Sequence, residues 1–311
     1  MYRYILKRLL LLIPVIIGAS FIIFFIINIA PGDVTTIKGG DASEEALEAL
    51  REEYGLNDPL LVQYGRYMLN LLHGDLGKSY YTNNSVLSEF FARFPNTLQL
   101  AVWSMLLGIA IALPVGIISA IKQYSLLDNC SMLIALAGVS MPVFWEGLLL
   151  IILFSLYLGW FPSGGNTLPF SLVLPVITSG THMAATVTRM TRSSMLEVIR
   201  QDYICTARAK GLNERVVILK HAFRNALIPI VTTIGTTFGT AIGGALVTET
   251  VFSWPGIGRL VVESIDRRDT PMIMGCIILT TVCICLINLA VDLLYAFIDP
   301  RIKAQYKGAK R

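Results

Sequence analysis

One stretch of the sequence has residue types that could bind a phosphate group. Gly77-Lys78-Ser79 matches the end of a P-loop, in which glycines, a lysine and a hydroxyl hold nucleotide phosphates and Mg²⁺. A P-loop also needs a glycine five residues before its second glycine, and Leu72 stands at that position. No other stretch fits the motif. The chain is therefore predicted to have no ATPase site of its own, with residues 77–79 in a turn.

The histidines and cysteines show no spacing typical of metal or catalytic chemistry. The sequence has no HExxH motif, no GxSxG motif and no CxxC pair. His182 beside Met183 could favour a metal, but metal sites need several ligands, and a packed histidine is the alternative. We therefore predict no catalytic residue, no metal site and no cofactor bound by this chain. The residues concerned are His73, His182, His221, Cys130, Cys205, Cys276, Cys283 and Cys285.

Acidic residues within apolar segments are the other candidates for chemistry. Glu146 lies in the middle of such a segment, while Glu249 and Asp292 lie nearer segment ends. A carboxylate in a membrane is costly unless it is paired or hydrated, and paired ionisable residues mark gradient-driven carriers. These three acidic residues are too few to form the paired groups that a proton relay needs. Glu146 is expected either to face the subunit interior or a pathway, near Trp145, or to make a structural hydrogen bond to a neighbouring helix.

Composition indicates an all-α protein that crosses a membrane several times. Hydrophobic residues make up 54% of the chain and charged residues 15%, whereas soluble chains carry about 25% charged residues. Each long apolar run is long enough to span a bilayer, which takes about 20 residues. The net charge of +4 reflects an excess of basic residues in the expected inside loops and gives no reason to expect nucleic-acid binding. The six predicted spans are 9–29, 97–121, 130–158, 170–189, 228–252 and 271–298.

The predicted organisation places both termini inside and one long polar segment outside. Asp128 is expected to cap the third span, and the weakly hydrophobic fourth span is expected to face protein or water. In the outside segment, Asp41 with Glu44 resembles a capping box, and Asp58-Pro59 starts a further helix. The predicted regions are the first span (1–30), the outside helical segment (31–95), the five-helix core (96–300) with an inside loop (190–228), and the tail (301–311).

The inside loop is the most distinctive stretch of the chain. Basic residues outnumber acidic ones there, as is typical of loops kept in the cytoplasm. Asp202 is predicted to cap a short helix through Lys210, Gly211 to end it, and Asn213 to cap a second helix. Two short helices joined at a glycine resemble a docking surface. The alternative is a solvated basic loop that only sets topology.

The fifth span has glycines at four-residue spacing, Gly235, Gly239 and Gly243, surrounded by threonines. Small residues at this spacing let two helix backbones approach closely. The pattern predicts either tight packing within this one subunit or a helix at a subunit interface or pathway wall.

Several motifs resemble one family. TARAKG and HAFRNALIP in the inside loop are similar to the cytoplasmic coupling loop of ABC importer permeases, in the dipeptide, oligopeptide and nickel branch and its first, B-type permease. Cys205 and Thr206 stand where the general pattern has Glu and Ala, and Thr270 departs from the usual Tyr. The resemblance covers nearly the whole chain, including PGD, GDLGKS, VSMPVFW, ETVFSWPGIGR and NLAVDLLYAFIDPRI.

The resemblance implies a type I importer permease fold and a multi-pass protein of a bacterial or archaeal cytoplasmic membrane. It implies a second homologous permease, two cytoplasmic ATPase subunits that use ATP and Mg, and an external substrate-binding protein. Di- or oligopeptides are the expected substrate, with nickel or another metal chelate, or glutathione, as alternatives. A gradient-driven transporter is the alternative from another class. The implied ATPase-coupling residues are Asp202, Tyr203, Thr206, Ala207, Arg208, Ala209, Lys210 and Gly211.

Overall fold

A computed structural model describes residues 2–29, 34–35 and 43–298, and this part of the chain is almost entirely helical. Its one extended pairing among those residues is an isolated bridge between Lys78 and Ser85. The helices are α1 Tyr2–Ile29, α2 Glu44–Glu53, α3 Leu60–Leu72, α4 Val86–Ile121, α5 Leu126–Ser140, α6 Val143–Leu150, α7 Val173–Ile199, α8 Asp202–Ala209, α9 Glu214–Val216, α10 Phe223–Gly244, α11 Leu246–Val251, α12 Ile257–Asp266 and α13 Thr270–Ile298. π-Helical turns follow α6 at Ile151–Tyr157 and α9 at Val217–Ala222.

Four helical stretches within the described ranges are long and apolar enough to cross a membrane, and a bent pair makes a fifth. They are Arg8–Ile29, Val86–Ile121, Glu214–Gly243, Thr270–Val291, and the pair Leu126–Ser140 with Val143–Tyr157. The fourth predicted span corresponds to α7, which is not among these stretches because its many hydroxyl and basic residues make it less apolar. Its 27 residues would still extend about 40 Å. Many α7 side chains are buried in the protein, as the sequence predicted.

The third predicted span is not one straight helix. Its two halves, α5 and α6, meet at an angle of 103°. Pro142 explains the break, because a proline disfavours helical backbone at the residue before it. Met141 accordingly has extended backbone, with φ −76° and ψ 129°.

The start of α5 also differs from the prediction that Asp128 is its cap. Ser125 is the N-cap and accepts a hydrogen bond from the Asp128 N–H at 3.2 Å. The buried Asp128 carboxylate accepts from the Tyr124 N–H at 2.9 Å and binds the Arg192 guanidinium of α7 at 2.6 and 2.7 Å. Two charge-assisted bonds to one carboxylate make this pair a firm link between α5 and α7.

The described chain divides into two compact units. The first contains Leu98–Trp254 and the described residues from Leu286 to Ile298. Its core joins α4, α7, α8 and α10 through buried side chains that include Val187, Met195, Ile204 and Ile230. Glycines allow close helix crossings here: a Cβ on Gly108 would lie 3.1 Å from Met183 Cβ. Such contacts replace the hydrophobic driving force that is missing between helices in lipid.

The second unit contains Tyr2–Thr97 and Pro255–Cys285. The Asp269 carboxylate, buried in front of α13, accepts a hydrogen bond from Ser79 Oγ at 2.5 Å and one from the Tyr80 N–H at 3.2 Å. Burial, the Asp269 charge and the neighbouring Tyr54 raise the pKa of Tyr80 to about 12, so its phenol stays protonated at neutral pH. These contacts hold the 77–85 loop against the start of α13.

The Gly77-Lys78-Ser79 sequence lies in a loop and not in the predicted turn, because Lys78 pairs with Ser85 and the turn begins at Tyr80. Gly77 has φ +83°, and its N–H donates to Asp75 Oδ1 at 2.8 Å. Ser79 Oγ, which would have to face a nucleotide in a P-loop, instead contacts the Asp269 carboxylate. An acidic partner at this hydroxyl is unsuited to an anionic phosphate.

Several helix starts between α1 and α4 differ from the prediction. Asp41 lies outside the described residues, and Ser43 caps α2 by accepting from the Ala46 N–H at 3.4 Å. Pro59 occupies the N-cap of α3, while Asp58 pairs with Arg66. Residues 86–94, which belong to the predicted outside segment, are the first part of α4 and continue into the second span. Beyond the fifth predicted span, helix α12 begins at Ile257.

Candidate coupling loop and pathway residues

Helix α8 ends in a left-handed glycine turn, as the sequence predicted. Gly211 has φ +76°, and its N–H donates to the Arg208 carbonyl at 2.9 Å. The Leu212 N–H reaches back to the Ala207 carbonyl at 3.4 Å. This pair of bonds is the Schellman arrangement that closes a helix C-terminus. At the other end Gln201 is the N-cap, so Asp202 is the first helical residue and not the cap.

One face of α8 is anchored in the protein core and the rest is exposed. Ile204 is fully buried and Ala207 is 7% exposed, both in the cluster with α4, α7 and α10. Ala207, one of the expected coupling residues, is therefore packed against the core. The other expected coupling residues are exposed: Asp202, Tyr203, Thr206, Arg208, Ala209, Lys210 and Gly211.

The second predicted short helix is the beginning of a long one. Asn213 caps it as predicted, accepting from the Arg215 N–H at 2.9 Å. From Glu214 the helical backbone runs through a π-helical turn into α10 without a break. The joint is therefore one short helix packed beside the start of a spanning helix.

An ion pair crosses the glycine turn. The Arg208 guanidinium contacts the two Glu214 carboxylate oxygens at 2.7 and 3.1 Å. Both side chains are largely exposed, so the ion pair orients the two residues across the turn but contributes little to stability. Apolar side chains beside it are also exposed, including Tyr203, Leu212 and Leu219. An exposed surface that combines basic and apolar groups on a fixed turn can dock a partner protein.

Glu146 is half-buried on α6 and bound to α7. Thr181 Oγ1 donates to the Glu146 carboxylate at 2.6 Å. The same side chain lines a cavity of about 470 Å³ together with Met141, Ala184 and Thr188. The geometry therefore contains the expected hydrogen bond to a neighbouring helix, and it also places the Glu146 side chain at a cavity wall.

The glycines of α10 contact the last helix. A Cβ on Gly235 would lie 2.2 Å from Val291 Cγ1, and one on Gly239 would lie 2.9 Å from Asn288 Oδ1. These two positions allow close packing within the subunit. Gly243 is exposed and thus differs from them.

Comparison with known proteins identifies the family. Residues 112–304 match the model of the "Binding-protein-dependent transport system inner membrane component" family, and residues 1–101 match the model of its N-terminal region. The chain belongs to this family. It is an integral membrane protein and a permease of the ABC importer class, as the motifs implied.

Relatives of this permease cover almost its whole length. It is 46% identical to the dipeptide transport system permease protein DppB of Alkalihalophilus pseudofirmus, over 97% of this chain and 100% of the relative. It is 40% identical to DppB of Escherichia coli K12, over 97% and 99%. It is 42% identical to the glutathione transport system permease protein GsiC of the same strain, again over 97% and 99%.

Solved transporters share the fold. The inward-facing MetNI methionine ABC transporter superposes with a TM-score of 0.58 at 21% identity, covering 68% of this permease and 97% of that chain. An amino acid ABC transporter gives a TM-score of 0.52 at 14% identity, covering 69% and 94%. The expected type I importer permease fold is confirmed.

Sequence reasoning missed the residues that hold the loop in place. Ile204 and Ala207 could have been found from their three-residue spacing, which puts two apolar side chains on one helix face. Nothing in the sequence indicated that Arg208 pairs with Glu214 or Arg192 with Asp128, because each arginine had several possible acidic partners.

Proposed function

We propose that this permease forms half of the translocation pathway of an ATP-driven importer of di- and oligopeptides. The single observation that supports peptides as the substrate is the 40–46% identity of this permease to two DppB permeases over nearly its full length. We further propose that a second, homologous permease supplies the other half and that an external binding protein delivers the peptide.

In this proposal, ATP is hydrolysed on two cytoplasmic partner subunits that bind ATP and Mg. The loop at residues 77–79 lacks the P-loop glycine, and its serine contacts an acid, which supports placing nucleotide chemistry on other chains. Helix α8 with its glycine turn then docks on an ATPase subunit. Both termini and α8 lie in the cytoplasm, which agrees with the basic residues of the loop.

Glutathione is a second candidate substrate, because GsiC relatives match this permease at 42–43% identity. A nickel or other metal chelate is the remaining member of the expected substrate set. Importers of peptides, glutathione and metal chelates would all use the same subunit arrangement. The substrate and the energy source of transport can therefore be tested separately.

The test is uptake by the complete importer in lipid vesicles. We expect labelled dialanine to accumulate only with ATP on the ATPase side and the binding protein on the other side. Excess glutathione or nickel chelate serves as competitor and identifies the preferred substrate. Uptake that continues without ATP and stops with an ionophore would contradict the importer and support a gradient-driven carrier.

A further inference from the structure

A cavity within the first unit has no role in the function described so far. It has a volume of about 240 Å³ and lies between α4, α6, α7, α10 and α11. Its polar lining consists of Ser104, Ser179, His182, Thr237, Thr240 and Thr248. We refer to it as the hydroxyl cavity. Mostly apolar walls with a few convergent polar groups are typical of ligand sites.

Ser104 is the decisive residue of the hydroxyl cavity. Its side chain is fully buried, and its Oγ has no hydrogen-bond partner. A buried hydroxyl without a hydrogen-bond partner is unfavourable, and an amide of a bound ligand would supply the missing partner. Two other hydroxyls of the lining, Ser179 Oγ and Thr248 Oγ1, contact each other at 3.1 Å. A hydroxyl has one donor and two acceptor sites, so this pair retains capacity for a further bond.

The chemistry of the lining selects a neutral ligand. No Asp, Glu, Lys or Arg is among the residues that line the hydroxyl cavity. A charged peptide terminus would lose its hydration there without an opposite charge in return. A peptide unit presents one donor and one acceptor, which hydroxyl groups can satisfy irrespective of the side chains of the peptide.

The cavity also has an access route and a fitting size. Thr240, at its edge, is exposed and shares one face of α10 with the exposed Thr232 and Thr236. The hydroxyls of these threonines donate to carbonyls of their own helix at 2.8–3.1 Å. The donors on this face of α10 are therefore already paired. The volume is below the roughly 300 Å³ of sites for drug-sized ligands, so it suits one segment of a peptide.

We propose that the hydroxyl cavity binds a main-chain amide of the transported peptide during passage through this subunit. This inference rests on the proposed peptide-importing function. The competing occupant is ordered water, for which the cavity has room for about eight molecules at ~30 Å³ each.

The first test is direct binding to the complete importer in lipid discs without the binding protein. The probe is N-acetyl-alanine methylamide, a neutral compound with two amides, observed by saturation-transfer NMR. We expect saturation transfer with the wild type, a several-fold loss with Ser104→Ala, and little signal with Ser104→Val, which also fills the space. The matched control is Ser119→Ala, since Ser119 is a second buried, unpartnered hydroxyl on α4 that does not line the cavity.

The second test is uptake of tetra-alanine by the same variants, because the middle amide of this peptide is separated from both charged termini. We expect Ser104→Ala to reduce uptake several-fold and Ser119→Ala to retain wild-type uptake. If Ser104→Ala does not assemble, Ser179→Ala replaces it. A wild type that imports tetra-alanine but shows no saturation transfer, or equal behaviour of the two alanine variants, would mean that the cavity holds only water; the proposed function would then stand. A wild type that imports neither dialanine nor tetra-alanine would overturn both.

Discussion

At the scale of single residues, Gly211 gives the cleanest test of the coupling loop. A Cβ at this position would meet no atom within 4 Å, so a larger side chain has space but must adopt φ +76°. For a β-branched residue that backbone costs about 1–3 kcal/mol. We expect Gly211→Val to insert normally and pair with the second permease but to lose most ATPase attachment or to uncouple hydrolysis from uptake.

The control for this prediction is Gly211→Asn, because asparagine tolerates left-handed backbone. It should retain most coupling. The measurements are co-purification of the ATPase subunit and substrate-stimulated ATP hydrolysis in lipid discs. Wild-type values for both in Gly211→Val would show that the loop is not the coupling element.

Glu146 tests whether a charge faces the pathway. Glu146→Gln keeps the shape and can still accept the Thr181 hydrogen bond, so only the charge is removed. We expect a several-fold lower preference for cationic over neutral peptides in competition uptake assays. Thr181→Val is the matched variant, since it removes the donor and retains the carboxylate. An unchanged preference in Glu146→Gln would leave this residue with a structural role only.

At the scale of elements, α8 depends on its buried anchor more than on its exposed ion pair. Ile204 is fully buried, and truncation of such a residue to alanine costs about 2–5 kcal/mol. An exposed pair such as Arg208–Glu214 contributes about 0.2–1 kcal/mol. We expect Ile204→Ala to speed hydrogen exchange throughout α8 and to weaken ATPase attachment, while Glu214→Gln changes both only slightly. The opposite order of effects would show that the ion pair, and not core packing, positions the helix.

At the scale of the whole molecule, the segment between the first two spans is predicted to dock the binding protein. Helix α2 has no buried residue, so its surface can be changed without disturbing the contacts of Asp269. We expect replacement of Glu44–Glu53 by a Gly/Ser linker of equal length to lower the stimulation of ATP hydrolysis by the binding protein. Basal hydrolysis without that protein is the internal reference. Full stimulation in this variant would exclude α2 from the docking surface.

The sequence by itself determined the features that depend on neighbouring residues. Apolar run length predicted the spanning helices, and Gly211 and Asn213 predicted the joint after α8, because turn and cap chemistry acts within a few residues. Pro142 was a local signal of the same kind for the break between α5 and α6. Family motifs along the chain predicted the importer class for the same reason, since each motif can be read without its spatial neighbours.

Only the tertiary structure decided which distant groups meet. Asp128 is a partner of Arg192, 64 residues away, and not a helix cap. Asp269 binds a loop 190 residues earlier, and Ser104 is left without a partner at a cavity formed by five helices. Burial and pairing are properties of the packed helices, and many combinations of faces satisfy the same apolar pattern. For that reason the sequence predicted the elements and their ends, while the packing placed the hydroxyl cavity and the anchor of the coupling loop.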